Sequence, residues 1–320
     1  MSIALQVTDL SKTFPVGKKL FGGAKGAVKA VHPITLSVNT GETLGIVGES
    51  GCGKSTLARM LVGLIPATTG QIEIEGAALN TADPADFGKR IQYVFQDPIS
   101  SLNPRKTIRQ IMDAPLKLLH KMDRPAREKR ILEIFDSVNL RADFLDRYPH
   151  EFSGGQAQRI GIARALAAQA RILILDEPVS ALDVSVQAQV LNLLADLKHE
   201  FGLTYLFISH DLAVVEAVSD RIAVLYFGSV VEEGRAEEIF ANPRHPYTKL
   251  LAESAPVVGR ALGDPEQGQA ELPNPLNPPP GCAFANRCPY ASGQCRKTVP
   301  VLEQIGPDQR VACYHPLPSA

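Results

Sequence analysis

The sequence predicts an α/β protein with a phosphate-binding loop, a mixed sheet, an inserted helical subdomain and a small cysteine-rich C-terminal extension. Three observations support this fold class. A glycine-rich loop stands between a strand pattern and a helix pattern, several short apolar runs end in polar residues, and four of the five cysteines lie in the last forty residues. The 320 residues, of which 45% are hydrophobic, are enough for one full core and a smaller second unit.

The glycine-rich loop fits the pattern G-x-x-x-x-G-K-[ST]. The apolar run 43–47 precedes it as a short buried strand, and a helix follows with apolar residues at helical spacing, namely Leu57, Met60, Leu61 and Leu64. In such a loop backbone N–H groups surround phosphate oxygens, the lysine adds a point charge, and the serine after it ligates magnesium. The residues predicted to bind phosphate or magnesium are Gly48, Glu49, Ser50, Gly51, Cys52, Gly53, Lys54, Ser55 and Thr56.

Charge and hydropathy exclude several classes. The formal net charge is −1 and the sequence pI is about 6.7, which disfavours a purely electrostatic nucleic-acid binder. No apolar run approaches the length of a membrane span, and the first ten residues lack the pattern of a signal peptide. We therefore expect a cytosolic chain whose cysteines form no disulfides.

The N-terminal part predicts further strands of a mixed sheet. Residues 3–7 and 34–38 have strand patterns, and the Gly- and Lys-rich stretch 17–29 between them is expected to be a surface loop. Phe14 is either a core residue or a platform for an adenine ring. Residues 70–76 alternate apolar and polar, which is typical of a half-exposed antiparallel strand.

Polar side chains follow three apolar runs that are predicted to be strands. Gln96 follows the first run, Asp176 and Glu177 the second, and His210 the third. In open α/β sheets ligands bind at the carboxyl ends of the strands. Asp176 is expected to hold magnesium and Glu177 to polarise the attacking water, because both follow a buried strand in a chain with a phosphate loop. Gln96 is a candidate for contact with the metal or water, or a loop glutamine in solvent.

The chain between these runs predicts helices. Residues 106–146 have apolar residues at helical spacing and many cations, which form either a solvated face or a surface for an anionic partner. Ser153 is predicted to cap the next helix, with Gly154 and Gly155 in its first turn. That helix start is either an ordinary cap or a second anion site.

The C-terminal part contains a proline-rich stretch and then four cysteines. Residues 255–280 are predicted to be a stiff linker. Gaps of five, six and seventeen residues separate Cys282, Cys288, Cys295 and Cys313. This spacing matches neither zinc fingers nor bacterial ferredoxins, so iron–sulfur, zinc and free thiols all remain open, with His315 as a further candidate ligand.

Cys52 lies apart from this group, in the phosphate loop. Its position near Lys54 and a helix N-terminus predicts an acidified thiol that alkylates readily.

Taken in order, these motifs resemble the nucleotide-binding subunit of an ABC transporter over residues 3–240. Its motifs are matched by the phosphate loop 48–56, the Q-loop residue Gln96, the signature Ser153-Gly154-Gly155-Gln156, the acidic strand 172–177, the D-loop 180–183 and the switch histidine His210. The signature departs from the common Leu-Ser-Gly-Gly-Gln in having Phe152 first.

The resemblance implies an ATPase with defined residue roles. Magnesium would be held by Ser55, Gln96 and Asp176, while Glu177, Gln96 and His210 would be catalytic. The adenine would stack on Phe14. A second subunit would cap the bound ATP with its signature and D-loop, and the corresponding residues of this chain are Ser153, Gly154, Gly155, Gln156 and Asp183.

Two further segments resemble the oligopeptide and dipeptide importers of this family. These segments are 242–251 and the cysteine-containing stretch 282–289, which in that family belongs to a tail holding a [4Fe–4S] cluster through four cysteines. The long stretch 17–29 agrees with one of the two paralogous ATPases. The implied domains are an ATPase domain 1–240 with a helical subdomain at about 98–165, a tail and linker 241–280, and a metal-cluster segment 281–320.

The same resemblance implies partners. We expect a heterodimer with a paralogous ATPase, two transmembrane permeases and, indirectly, an extracytoplasmic solute-binding protein, with the chain at the cytoplasmic face of the inner membrane and no nucleic-acid partner. The alternative is a soluble ABC ATPase that acts on ribosomes or nucleic acid. Such a protein would keep the catalytic residues but usually carries two cassettes or long coiled-coil insertions. An exporter subunit is a third reading, disfavoured by the tail.

Overall fold

Strands and helices alternate through most of the chain. The computed structural model describes residues 2–18, 24–79, 83–254 and 272–319. The strands in these ranges are β1 (Ile3–Lys18), β2 (Ala24–Asn39), β3 (Thr43–Val47), β4 (Thr69–Ile74), β5 (Ala77–Ala78), β6 (Ile91–Val94), β7 (Ile172–Asp176), β8 (Thr204–Ile208), β9 (Arg221–Tyr226), β10 (Ser229–Arg235), β11 (Glu303–Gln304) and β12 (Arg310–Val311). The helices are α1 (Lys54–Leu61), α2 (Pro84–Arg90), α3 (Ile108–Leu118), α4 (Arg124–Ser137), α5 (Gly154–Ala167), α6 (Val184–Phe201), α7 (Leu212–Val218), α8 (Ala236–Ala241) and α9 (Pro246–Ser254).

The described residues divide into two compact units. The first unit lies within Met1–Leu5, Val38–Glu42 and Glu73–Ile208, and the second within Gln6–Ser37, Thr43–Ile72 and Ser209–Ala320. In the part of the chain that is described, no helix has both the length and the apolar character needed to cross a membrane.

The first unit contains three parallel strands in the order β6, β7, β8. Ile91 pairs with Ile172, and Ile172 pairs with Thr204. Every residue of β7 and β8 is buried. This burial explains the unbroken apolar run of β7, because a parallel strand covered on both faces has no solvent side.

Helices α3, α4 and α5 pack against one another in the first unit and confirm the helical pattern between residues 106 and 146. Thr107 and Gln110 form a capping box at the start of α3, in which the Thr107 N–H donates to Gln110 Oε1 at 3.1 Å. The buried face of α3 is formed by Ile108, Ile111, Met112 and Leu116. These are residues that the helical spacing predicted to face one side.

The second unit contains a mixed sheet, as predicted. Strand β3 pairs in parallel with β9, whereas β10 pairs antiparallel with both β9 and β12. The larger parts of β1, β2 and β4 lie side by side in the order β2, β1, β4. The predicted strand at 70–76 is thus confirmed as most of β4.

Two local predictions were wrong. The stretch 17–29 is largely not a loop, because Gly17 belongs to β1 and residues 24–29 belong to β2, while 19–23 lie outside the described residues. Leu64 is not on the core face of α1, which ends at Leu61, and it is 56% exposed. The N–H of Leu64 donates to Arg59 O at 2.9 Å across the left-handed Gly63, a hydrogen bond that closes the helix.

A buried carboxylate organises the C-terminal part of the second unit. Glu232 on β10 accepts hydrogen bonds from the backbone N–H groups of Arg244 and His245, both at 2.8 Å, and from Gln309 Nε2 at 2.9 Å. Burial nevertheless raises the pKa of Glu232 above its usual range. Because its partners lie on both sides of the predicted linker, Glu232 joins residues 244–245 to the last segment. Residues 255–271 of that linker lie outside the described residues.

His245 should make the stability of the chain depend on pH. The ring is buried, its Nδ1 accepts the N–H of Tyr247 at 3.0 Å, and burial lowers its pKa to about 3. An unfolded histidine binds a proton near pH 6.5. The unfolded chain therefore binds more protons between pH 6.5 and 3, and the free energy of unfolding falls with decreasing pH by up to about 1.4 kcal/mol per pH unit.

Replacing His245 by asparagine should remove this contribution while keeping an acceptor near the N–H of Tyr247. Denaturant unfolding followed by circular dichroism at several pH values should give a shallower acid slope for His245→Asn than for the wild type. The control His199→Asn changes an exposed histidine and should follow the wild-type curve. Parallel curves for His245→Asn and the wild type would contradict the assignment.

Candidate functional site

The loop between β3 and α1 is held by close backbone contacts. Gly48 has φ 154° and Gly53 has φ 106°. A Cβ atom at Gly48 would lie 2.1 Å from Leu225 O, and one at Gly53 would lie 2.4 Å from Ala30 O. Both positions therefore require glycine, and the loop backbone is fixed against β9 and β2.

Lys54 begins α1 and directs its ammonium group back over the loop. Its Nζ donates to Gly48 O at 2.6 Å and to Glu49 O at 2.9 Å, and the residue is 5% exposed. Ser55 and Thr56 occupy the first turn of the same helix and are half-buried. A buried cation and a helix N-terminus at one loop form an environment suited to phosphate oxygens.

Cys52 does not have the acidified thiol that the sequence predicted. The residue is buried, and burial raises the pKa of its thiol. Lys54 Nζ lies 3.9 Å from Cys52 Sγ and acts in the opposite direction, but the loss of solvation is the larger effect. The expectation of a readily alkylated cysteine is therefore corrected.

The first unit brings together the polar residues that follow β6 and β7. Asp176, the last residue of β7, is buried and accepts a hydrogen bond from the Tyr93 hydroxyl. Gln96 Nε2 donates to Glu177 Oε2 at 2.9 Å. Glu177 has the left-handed φ of 48°, and its N–H donates to Ile208 O at 2.8 Å. Carboxylate and amide oxygens are ligands that magnesium prefers, so this group can hold a hydrated Mg²⁺.

The signature residues lie at an accessible helix start in the first unit. Ser153 is the N-cap of α5, and its N–H donates to Gln156 Oε1 at 3.1 Å. Ser153 and Gly154 are exposed, and Gly155 and Gln156 are half-buried. The residue at which the signature departs from the common pattern, Phe152, is buried against Phe144 with ring centroids 5.5 Å apart. The phenylalanine at position 152, which replaces the common leucine, therefore affects the core next to the start of α5.

The remaining predicted site residues are distributed over both units. Asp183 is exposed and is the N-cap of α6 in the first unit. His210, in the second unit, is exposed two residues after the end of β8. Phe14 on β1 is half-buried, with Lys12 Nζ 5.0 Å from its ring centroid. Its stacking on an adenine stays a prediction.

Two residues at the loop were missed by the sequence reasoning. The Tyr247 hydroxyl accepts the N–H of Glu49 at 2.9 Å, and Arg287 donates to both carboxylate oxygens of Glu49 at 2.8 Å each. No local pattern reports these contacts, because the partners are 198 and 238 residues apart in sequence.

The four C-terminal cysteines line one small cavity together with residues that include His245 and Phe284. They are Cys282, Cys288, Cys295 and Cys313. Burial raises the pKa of three of these thiols, to about 11 in Cys313. Within the described ranges, however, no three His, Cys, Asp or Glu side chains are grouped so that they could hold a metal ion. The described side chains therefore do not form the expected iron–sulfur or zinc site.

Comparison with known proteins places the chain among transport ATPases. The ABC transporter family matches residues 31–180, and the family described as the oligopeptide/dipeptide transporter C-terminal region matches residues 231–295. The Bacillus subtilis oligopeptide transport ATP-binding protein AppF is 47% identical over 318 residues, which are 97% of this chain and 96% of AppF. The chain belongs to the ABC transporter ATP-binding proteins of the oligopeptide/dipeptide family.

Further relatives agree with this membership. The Escherichia coli oligopeptide transport ATP-binding protein OppF is 48% identical, over 94% of this chain and 93% of OppF. Among solved structures, the dimeric post-hydrolysis state of the ATP-binding cassette MJ0796 bound to ADP and Pi has a TM-score of 0.64 and 31% identity, covering 72% of this chain and 98% of that chain. The protein is thus an ABC-type ATPase with the α/β fold of that family.

Cys52 of this ABC ATPase should react slowly with N-ethylmaleimide. Because the thiol is buried and its pKa is raised, we expect alkylation about tenfold slower, or slower still, than in the guanidinium-unfolded chain. Timed quenching followed by peptide mass spectrometry measures the rate at each cysteine. Equal rates in the folded and unfolded chain would show that the loop does not protect Cys52.

Proposed function

We propose that this ABC ATPase powers the import of peptides or similar small solutes through a membrane transporter. The observation that carries the proposal is the likeness to oligopeptide and dipeptide transport ATP-binding proteins over nearly the whole chain, including the C-terminal region. ATP and Mg²⁺ follow from membership of the ABC ATPase family. The alternative of a soluble ABC ATPase acting on ribosomes or nucleic acid is not favoured by these relatives.

We assign the catalytic roles to the residues at the phosphate loop and at the strand ends. Lys54 binds phosphate oxygens, and Ser55, Gln96 and Asp176 hold Mg²⁺. Glu177 orients the attacking water, supported by the Gln96 hydrogen bond that fixes its carboxylate at 2.9 Å. His210 contacts the γ-phosphate, and Phe14 stacks on the adenine. Catalysis of this kind consists mainly of positioning and charge stabilisation.

We propose that a second ATPase subunit completes each ATP site. The residues that would reach the partner's ATP are Ser153, Gly154, Gly155, Gln156 and Asp183. The exposure of Ser153 and Asp183 supports this role, since a donor to a neighbour's ligand must be accessible. A ligand that shifts a dimer from almost entirely open to almost entirely closed must favour the closed form by about 5.5 kcal/mol. Two bridging ATP molecules supply that preference.

The proposed partners are a paralogous ATPase in a heterodimer, two permeases and, through them, a solute-binding protein. The chain would act at the cytoplasmic face of the inner membrane. We propose domains at 1–240, with a helical subdomain near 98–165, then 241–280 and 281–320. The C-terminal family match begins at residue 231, within the last ten residues of the proposed first domain.

We further propose that the four C-terminal cysteines hold a metal centre, either a [4Fe–4S] cluster or zinc. The support is that all four line the same cavity. A bound centre would staple a segment that is too short to hold a large core of its own.

The partner proposal is tested by trapping the closed dimer. The Glu177→Gln variant should bind ATP and fail to hydrolyse it, so that it retains its partners. Tagged variant protein from detergent-solubilised native membranes, with ATP and magnesium, should bring down two permeases and a second ATPase, identified by mass spectrometry. The matched control carries Lys54→Ala in addition to Glu177→Gln, and it should lose the ATP-dependent part of partner recovery. Recovery of ribosomes without permeases would overturn the transporter assignment and leave the ATPase chemistry intact.

The metal proposal is tested by measuring the iron, sulfide and zinc content of the purified protein. Protein purified without oxygen should contain about four iron and four sulfide per chain for a cluster, or about one zinc. Replacing Cys288 by serine should lower the metal content, whereas Cys52→Ser should leave it unchanged. A chain that contains neither metal and has four reactive thiols would show that no centre forms.

A further inference from the structure

The phosphate loop is joined to the cysteine-rich segment by a bidentate ion pair. Arg287 Nη1 donates to Glu49 Oε2 and Nη2 to Glu49 Oε1, both at 2.8 Å. The Arg287 side chain is 4% exposed and the Glu49 side chain 29%. The pairing raises the pKa of Arg287 further above its ordinary range. Parallel N–H···O bonds of this kind fix geometry as well as charge.

The backbone N–H and the backbone carbonyl of Glu49 are also hydrogen-bonded to side chains. Its N–H donates to the Tyr247 hydroxyl at 2.9 Å, and its carbonyl accepts from Lys54 Nζ at 2.9 Å. Tyr247 is fully buried on α9, and Lys54 begins α1. One loop residue is therefore fixed by three side chains, two of which come from the C-terminal part of the chain.

The groups that hold Glu49 are themselves held by an aromatic cluster. The ring centroids of Tyr226 and Tyr247 are 4.5 Å apart, and Phe284 lies 5.4 and 5.5 Å from them. The guanidinium carbon of Arg287 lies 5.5 Å from the Phe284 ring centroid, and the Arg287 N–H donates to Phe284 O at 2.9 Å. Since Phe284 and Arg287 lie between Cys282 and Cys288, the turn between these cysteines positions the guanidinium.

The negative charge of Glu49 explains why the ion pair with Arg287 is needed. A carboxylate in a loop that binds phosphate repels the ligand, and the repulsion is strong where solvent screening is weak. The bidentate guanidinium offsets that charge and directs both oxygens toward the C-terminal segment. It also fixes the loop before ATP arrives, which reduces the ordering cost of binding.

We propose that Arg287 and Tyr247 are positioning residues for the phosphate loop, so that the cysteine-rich C-terminal segment sets the affinity of this ATPase for ATP. The inference goes beyond peptide transport and rests on the ATPase function alone. Neither residue touches the nucleotide, and both act through Glu49. Loss of either contact should weaken MgATP binding more than it changes the chemical step.

The test is a double-mutant cycle on the full-length chain with Arg287→Gln, Glu49→Gln and the double variant. Arg287→Gln should raise the dissociation constant for MgATP, measured by calorimetry, by about tenfold, and the ATPase KM should rise in parallel while kcat changes by less than about twofold. In the Glu49→Gln background the same change should have little further effect, because the carboxylate that Arg287 offsets is gone. The matched control is Arg296→Gln, an exposed arginine of the same segment, which should bind MgATP like the wild type.

Tyr247→Phe provides a second variant that keeps the buried ring and removes only the hydroxyl. It should keep the unfolding temperature near that of the wild type and raise the MgATP dissociation constant, which separates positioning from folding. Equal MgATP affinity for Arg287→Gln and Arg296→Gln, or fully additive effects in the cycle, would overturn the inference while leaving the ATPase intact. A wild-type chain that binds no MgATP would overturn the ATPase assignment itself, and the inference with it.

Discussion

The structure around the phosphate loop depends on one steric constraint, the absence of Cβ atoms where the loop backbone meets its neighbours. Leu225 O would lie 2.1 Å from a Cβ at Gly48, and Ala30 O would lie 2.4 Å from one at Gly53. Because these contacts come from β9 and β2, the loop is held by strands on which the second unit is built. The backbone N–H groups that bind anions are thereby fixed in direction by the core, and Lys54 adds charge to a loop that is already in place.

Buried charge is the second constraint, and it places distant segments together. A buried carboxylate or guanidinium needs several polar partners, since an unpaired one is costly. Glu232 takes three donors from residues 244, 245 and 309, and Arg287 pairs with both carboxylate oxygens of Glu49. Gln309 lies 77 residues from Glu232, and Glu49 lies 238 residues from Arg287. The need to pair these buried charges therefore attaches the C-terminal segment to β10 and to the phosphate loop.

Local sequence predicted the elements whose cause is local. The strand, loop and helix around Lys54 follow from the glycine pattern and the apolar spacing, and β7 follows from a short apolar run that ends in two carboxylates. Predictions failed where tertiary burial decided the outcome. Cys52 lies near a cation, as the sequence indicated, but its burial reverses the direction of the pKa shift. Tyr247 and Arg287 carry no local signal at all, because their partner Glu49 lies about two hundred residues earlier.

The contact at Glu49 changes how the cysteine-rich segment is to be understood. In phosphoryl transfer the protein contributes mainly position and charge, so a residue that fixes a loop without touching the nucleotide can still control binding. Arg287 meets this condition because its guanidinium is buried, bidentate and held by the turn that begins at Cys282. A displacement of that turn would reach the phosphate loop through the Arg287–Glu49 ion pair and through the contact of Phe284 with Tyr247. The segment after the linker is therefore part of the nucleotide-binding apparatus of the chain.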